Sequence, residues 1–378
     1  MQLNNKGLVD IQLSQNARIL AEKRYLQHNE QGKCIETVED MIRRVAEDVA
    51  SNCKRYGDAD YGERFRTYYN LIASKRFFPN SPTLMNAGTS LQQLSACFVL
   101  DVPDDMSGIY KTLHDKAMIH KSGGGTGFNF GNIRPEGDAV KSTGGIASGP
   151  LSFLSVFDAS TNTVKQGGKR RGANMAVMPV NHPDILKFIR AKTVEGLYSN
   201  FNFSVMLTDA FMEAYEEGRD YELINPRTGA VVGKLNAKDV MDEIIEGAWR
   251  NGEPGILFGD EINRHNTVPD LGRITATNPC GEQPLLPNES CNLGSINLVK
   301  HVWRNPYTSE FEIDWETLEQ TVRDAVSFLD DVIDRNQYPT EAIREATLRT
   351  RKIGLGVMGW ADTLILLGIP YDSEEALE

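Results

Sequence analysis

The segment Thr277–Leu298, TNPCGEQPLLPNESCNLGSINL, holds the residue types best suited to chemistry, with Asn278, Cys280 and Glu282 on an N-x-C-x-E pattern. In an extended backbone, side chains two apart share one face, so amide, thiol and carboxylate are expected to point the same way. A thiol flanked by a carboxylate and an amide suits radical, acid–base or nucleophilic work. Cys280 taken alone reads as a small buried hydrophobe. Its neighbours weigh against that, because a buried Asn and a buried Glu need partners. Cys291 follows eleven residues later, and Cys97 stands far upstream in LSACFVL. Two cysteines remote in sequence can meet across a barrel and exchange electrons.

Two further segments stand out. Gly123–Gly149 carries nine glycines in 27 residues, a density that suggests close backbone approach or unusual dihedrals. It fits neither GxGxxG nor GxxxxGK[ST], so both common phosphate-loop readings fail. KQGGKRRGAN, Lys165–Asn174, sets Lys169, Arg170 and Arg171 beside two glycines just ahead of an apolar run. Backbone N–H groups and guanidinium forks in such a loop suit a polyphosphate, and a solvated basic turn fits the same residues. EGLYSNFN, Glu195–Asn202, is a similar loop with no charge signature.

The elements that must position these residues read as α/β. The 378 residues carry 40 Lys+Arg and 52 Asp+Glu, a formal net charge of -12. That balance argues against broad, sequence-independent nucleic-acid binding but leaves room for small anionic ligands. No apolar run reaches the ~18–20 residues of a membrane helix, and MQLNNKGLVD does not read as a signal peptide, so a cytoplasmic protein is expected. Five cysteines, with no CxxC and no zinc spacing, point to redox or catalytic use rather than a disulfide scaffold or a metal site. Residues 1–75 read as helical, with Thr37 as an N-cap ahead of MIRRVAEDVASNCKRYG. From residue 76 to 378, short strands alternate with glycine-rich turns and helices. The strands are expected at Leu94–Leu100, Ala173–Val180, Asn202–Leu207 and Gly255–Phe258. Several are apolar at consecutive positions, as in strands buried on both faces. Trp315–Asn336 reads as a long amphipathic helix.

Taken together, these motifs resemble the catalytic (alpha) subunit of ribonucleotide reductases, most of all the adenosylcobalamin-dependent class II enzymes. The resemblance rests on NSPTLMNAG (Asn80–Gly88), SACFVL (Ser95–Leu100), GGGTGFNFGNIRPEG (Gly123–Gly137), QGGKRRGA (Gln166–Ala173), NPCGEQPL and SCNLGSINL. The opening AEKRYL…GKCIETVEDMIRRVA extends it over nearly the whole chain. It implies a ten-stranded α/β barrel of two five-stranded halves, here mainly the first half, with a finger loop and an N-terminal helical domain. It also implies reduction of ribonucleotides to 2′-deoxyribonucleotides by a thiyl radical, for DNA synthesis. Cys280 matches the thiyl-radical cysteine, Asn278 and Glu282 the residues that hold and deprotonate the ribose hydroxyls, and Cys97 and Cys291 the reducing pair. Ser81, Ala96 and Gly125 match substrate-site positions, although many relatives carry serine at the place of Ala96. Asp104, Arg134 and Lys141 match the site of a deoxynucleoside triphosphate effector, joined by Lys169, Arg170 and Arg171. The loops Lys165–Gly172 and Lys192–Phe201 match those that pass effector identity to the substrate site.

The resemblance further implies a thioredoxin- or glutaredoxin-type reductant and a homodimer. As departures from that pattern, a separate ATP-binding cone is not expected ahead of Gly7, and residues 76–378 are expected to hold the first half-barrel, the finger loop and only the start of the second half. As a free chain the 378 residues are expected to leave an open sheet edge, completed by a second polypeptide or a longer chain. Three alternatives stay open at this point. One is a compact class I-like subunit served by a separate radical-generating subunit, one a non-catalytic nucleotide-binding relative, and one a plain thiol oxidoreductase, which has no use for the Asn and Glu companions.

Overall fold

Strands buried on both faces lose the polar alternation of a surface sheet, and four such runs, joined by a more exposed fifth at Gly255–Phe258, pair in parallel in the computed structural model. It describes residues 7–57, 60–140, 144–164, 172–194 and 196–378. They fall into two units. One comprises Cys97–Ser290 with Pro339–Ala346; the other comprises Met1–Ala96, Cys291–Tyr338 and Thr347–Glu378.

In the unit that starts at Cys97, the strands Cys97–Leu100, Gly125–Asn129, Asn174–Pro179, Phe201–Leu207 and Gly255–Phe258 lie side by side in chain order, every pair parallel. Parallel neighbours need a crossover, and helices such as Met106–Lys121 and Pro150–Thr163 supply it. These two helices cover one face of the sheet. Phe157 packs edge-on against Phe128 at 5.2 Å and Phe130 at 5.4 Å. Polar groups on this covered face are paired across strands. His120 Nε2 meets Thr126 Oγ1 at 3.0 Å, Thr126 Oγ1 donates to Asn174 Oδ1 at 2.8 Å, and Asn174 Nδ2 donates to the Asn200 carbonyl at 3.0 Å. Lys116 is buried there too, its ammonium bonded to the Phe157 carbonyl, and burial pulls its pKa down to about 7.

The opposite face follows from the register. Cys97 pairs with Gly125, Gly127 with Met175, and Met175 with Asn202. Paired residues share a face, so Cys97, Gly125, Gly127 and Asn202 all project to the side away from those helices.

The other unit is built on helices. Val38–Ala50 and Tyr61–Ala73 lie beside Trp315–Arg335, and Gln15–Arg24 lies beside Val38–Ala50. Phe328 packs on Tyr68 at 5.1 Å and on Phe77 at 5.5 Å. The expected cap at Thr37 is present as a full capping box with Asp40. Asp331, buried, accepts from Asn52 and Arg64, each at 2.9 Å, and from the Tyr68 hydroxyl. Ser290–Asn297 runs antiparallel to Phe77–Pro79 and parallel to Ile353–Met358.

The strand expected at Leu94–Leu100 begins only at Cys97. Side chains take the preceding backbone donors: Leu94 N–H donates to Asn336 Oδ1 at 2.7 Å and Ser95 N–H to Gln93 Oε1 at 2.6 Å. A donor bonded to a side chain is lost to the ladder.

Among the described residues, no helix is long and apolar enough to cross a membrane.

Candidate active site

The N-x-C-x-E segment is not extended. Ala276–Thr277 and Pro284–Leu285 pair antiparallel, and Asn278–Gln283 forms the tip of that hairpin. Gly281 N–H donates to the Asn278 carbonyl at 3.1 Å, which closes a turn with Pro279 and Cys280 at its corners. Proline's fixed φ suits the first corner, and Gly281, at φ 88°, takes a left-handed conformation that other residues adopt at a cost. Asn278 braces the tip from inside. Its N–H donates to the Gln283 carbonyl at 3.2 Å, and its Oδ1 accepts the Gln283 N–H at 3.0 Å. The turn, rather than the period-2 spacing, sets where amide, thiol and carboxylate go. Asn278 is buried, while Cys280 and Glu282 are exposed.

The hairpin crosses the uncovered face of the sheet, where glycines make room for it. A Cβ on Gly127 would lie 1.7 Å from the Thr277 carbonyl oxygen, and one on Gly125 would lie 2.8 Å from Pro279 Cγ. Any side chain at Gly127 is excluded by backbone, which cannot yield as a side chain can. This close approach explains the glycine density of the GGGTGFNFG segment at these two positions.

Pressed onto the sheet, the tip meets Cys97. Asn278 Nδ2 donates to Cys97 Sγ at 3.1 Å, and the thiol makes a long contact of 3.9 Å with Glu282 Oε1. Three of the expected catalytic residues, about 180 positions apart in sequence, thus converge, and Cys280 stands at the exposed corner of the same turn. The arrangement joins a buried thiol, an amide donor, an exposed carboxylate and an exposed thiol, the groups needed for proton transfer and thiol redox chemistry.

The remaining expected residues fall elsewhere. Cys291 is buried in the helical unit, where its carbonyl accepts the Ala96 N–H at 3.1 Å. Ser81, in the same unit, opens the short helix Ser81–Asn86 and shares a hydrogen bond with the Tyr25 hydroxyl at 3.2 Å. Asp104 and Arg134 form an ion pair at 2.8 Å beside a cavity of about 650 Å³, which Met106, Ile109, Ile146 and Phe153 also line. That volume is in the range of small-molecule sites. Lys141, Lys169, Arg170 and Arg171 lie outside the described residues, as does most of the Lys165–Gly172 loop. Among the described residues, no group of three or more His, Cys, Asp or Glu could hold a metal ion.

Two residues beside these sites went unnoticed in the sequence. Arg227, from the turn between Asp220–Ile224 and Val231–Asn236, also lines the cavity. Asp138 grips it with bonds of 2.8 and 2.9 Å, and this pairing holds the Asp138 carboxyl well below the usual carboxylate range. No local motif announces it, because it arrives from a distant hairpin. Asn202 donates its side-chain amide to the Pro279 carbonyl at 2.7 Å. A polar amide inside an apolar strand was the available signal.

The family model for the ribonucleotide reductase barrel domain matches residues 95–378, and that for the ribonucleotide reductase all-alpha domain matches residues 12–92. The chain belongs to the ribonucleotide reductase family. Its fold is accordingly the α/β barrel domain of that family preceded by the all-alpha domain. It is 46% identical to a vitamin B12-dependent ribonucleoside-diphosphate reductase of Thermoplasma acidophilum, a match covering 98% of this chain and 55% of that protein. A reductase of the same name from Mycobacterium tuberculosis H37Rv is 48% identical, covering 97% of this chain and 51% of that protein. The ribonucleoside-diphosphate reductase subunit alpha of Chlamydia trachomatis is 33% identical, covering 94% and 36% respectively. The chain thus spans about half the length of these two B12-dependent relatives.

Proposed function

We propose that the complete protein reduces ribonucleotides, most directly ribonucleoside diphosphates, to 2′-deoxyribonucleotides by thiyl-radical chemistry. The observation that carries this reading is the hairpin tip, which brings Asn278 and Glu282 onto Cys97 and leaves Cys280 exposed at its corner. In this scheme a thiyl radical on Cys280 takes the 3′ hydrogen of the ribose. Glu282 accepts the 3′ hydroxyl proton, and Asn278 orients the ribose hydroxyls. The 2′ hydroxyl leaves as water, and Cys97 and Cys291 together give up two electrons and two protons, becoming a disulfide. Cys280 then returns its hydrogen to the 3′ carbon. Overall, one ribonucleotide and two thiols yield one deoxyribonucleotide, one water and one disulfide. A thiol protein of the thioredoxin or glutaredoxin type must then reduce that disulfide.

The names of the two B12-dependent relatives support adenosylcobalamin as the radical source. Cys280 is exposed, and in this reading it is the group of this chain that the cofactor would face. When bound, such a cofactor would supply the one-electron oxidation by which Cys280 Sγ loses its hydrogen atom. The complete protein is expected to form deoxynucleotide from ribonucleoside diphosphate when given adenosylcobalamin and a dithiol. Activity only with an added radical-generating subunit would favour the class I-like reading. No product under either condition would overturn the assignment.

The cavity beside Asp104 and Arg134 is the proposed effector site, a deoxynucleoside triphosphate being its ligand and a homodimer its expected setting. Two guanidiniums, Arg134 and Arg227, are held there by carboxylates, a preorganised arrangement that suits phosphate oxygens. Removing one such charge-assisted contact costs about 1.5–3 kcal/mol, or roughly 10- to 100-fold in affinity. Titration calorimetry of Arg134→Ala should register that loss for each deoxynucleoside triphosphate that the unsubstituted protein binds. Unchanged affinity for all of them would remove the site from this cavity.

A further inference from the structure

Phe201–Leu207 is buried along its length except at Asn202. Asparagine is disfavoured in strands, so its presence here asks for a role. Its amide donates at 2.7 Å to the carbonyl of Pro279, the residue before Cys280. The backbone on either side of Asn202 is clamped. Lys192 Nζ bonds the Phe201 carbonyl at 2.6 Å and Glu253 Oε1 at 2.7 Å, and the Phe203 N–H donates to Glu253 Oε2 at 3.0 Å. Asn202 therefore holds the Cys280 turn from a rigid base.

The residues just ahead of Asn202 lead to the cavity. Asn200 bonds Asp158 Oδ1 through its backbone N–H at 3.1 Å and its side-chain amide at 3.0 Å, and its amide also reaches Asn162 Oδ1 at 3.0 Å. The Tyr198 hydroxyl meets Ser155 Oγ at 3.1 Å. All three partners stand on the helix Pro150–Thr163, whose N-cap Gly149 and first-turn Phe153 line the cavity. A continuous run of packed backbone and hydrogen bonds thus joins the cavity wall to the turn that carries Cys280.

We propose that Asn202 is a positioning residue, through which nucleotide bound in the cavity sets the placement of the Cys280 turn. This inference rests on the functional reading above and adds a terminus for the regulation: the radical cysteine's own turn, reached through the Pro279 carbonyl. A ligand can shift such a turn only if it favours one of its arrangements, so the coupling must appear as a nucleotide-dependent difference at Cys280.

The test uses the complete protein and two variants, Asn202→Asp, which keeps the shape and loses the donor, and Asn202→Ala. The rate of Cys280 alkylation by iodoacetamide is followed by peptide mass spectrometry, with and without each of the four deoxynucleoside triphosphates. In the unsubstituted protein at least one of them should change that rate by about fivefold or more. In both variants the change should vanish, while the nucleotide still binds with unaltered affinity and the thermal midpoint is retained. A nucleotide-dependent rate that survives in Asn202→Asp, or one that is absent from the unsubstituted protein, overturns the proposal. So does a loss that merely tracks weakened nucleotide binding. Thiol alkylation needs no turnover, so a failed reductase assay, which would strike the functional reading, stays distinct from failure of this coupling.

Discussion

Replacing Cys280 with serine in the complete protein should reduce deoxynucleotide formation to background, a loss of at least about a thousandfold if the radical step is abolished. An O–H bond is much stronger than an S–H bond, so serine cannot serve as the hydrogen-atom relay although it fills the same space. Cys280 is exposed at a turn, and its thiol is outside the buried core. Surface substitutions of this kind usually change stability by no more than about 0.5 kcal/mol. Nucleotide affinity should therefore stay near the unsubstituted value while turnover disappears. Steady-state assays beside equilibrium binding separate the two, and product formed at a comparable rate by Cys280→Ser would end the thiyl-radical account.

Gly127→Ala should be nearly as damaging for a different reason. Its new methyl carbon would sit 1.7 Å from the Thr277 carbonyl oxygen and 2.8 Å from the Thr277 carbonyl carbon. Either the hairpin lifts off the sheet or the strand Gly125–Asn129 shifts, and both move Asn278 and Glu282 away from Cys97. Overpacking of this kind costs about 1–3 kcal/mol of stability. A displacement of about 1 Å at a reacting centre costs on the order of a hundredfold in rate. Gly233→Ala is the control, since its added methyl meets only Leu223 Cδ1 at 3.6 Å. Thermal melts and turnover of both variants, run together, should show the loss at Gly127 and near-normal values at Gly233. Normal turnover by Gly127→Ala would mean that the hairpin does not need this seat.

Much of the architecture could be read from the residues because it depends on local signals. The apolar runs at Asn174–Pro179 and Gly255–Phe258 are strands, Thr37 caps the helix Val38–Ala50, and Trp315–Arg335 is helical. The Asn278–Glu282 geometry departs from a period of two for a physical reason. Asn-Pro at the start and glycine at the end mark a turn, which strand spacing does not describe. The residue types were right, yet the turn brings Asn278 and Glu282 to Cys97 by folding back. Strand expectation failed again at Leu94–Ala96, where Asn336, 241 to 242 positions away, and the nearby Gln93 supply side-chain partners to the backbone region. Long-range capture of this kind leaves no local trace. Arg227 stayed hidden for the same reason, since its place at the cavity depends on Asp138, 89 residues away. Gly127 was visible as a glycine, but the Thr277 carbonyl that requires it lies 150 positions on, and only the fold puts the two together.

The most direct measurement of the central claim is a single turnover by the complete protein, pre-reduced, loaded with radical source and ribonucleoside diphosphate, and given no external reductant. Thiols are then blocked at low pH and mapped by mass spectrometry. The expected result is one deoxynucleotide per active site together with a new disulfide between Cys97 and Cys291, which requires their Cα atoms to come within about 7 Å. Cys34 and Cys53 should remain alkylatable thiols. Product formed while Cys97 and Cys291 both stay reduced, or a disulfide that joins other cysteines, would contradict the account.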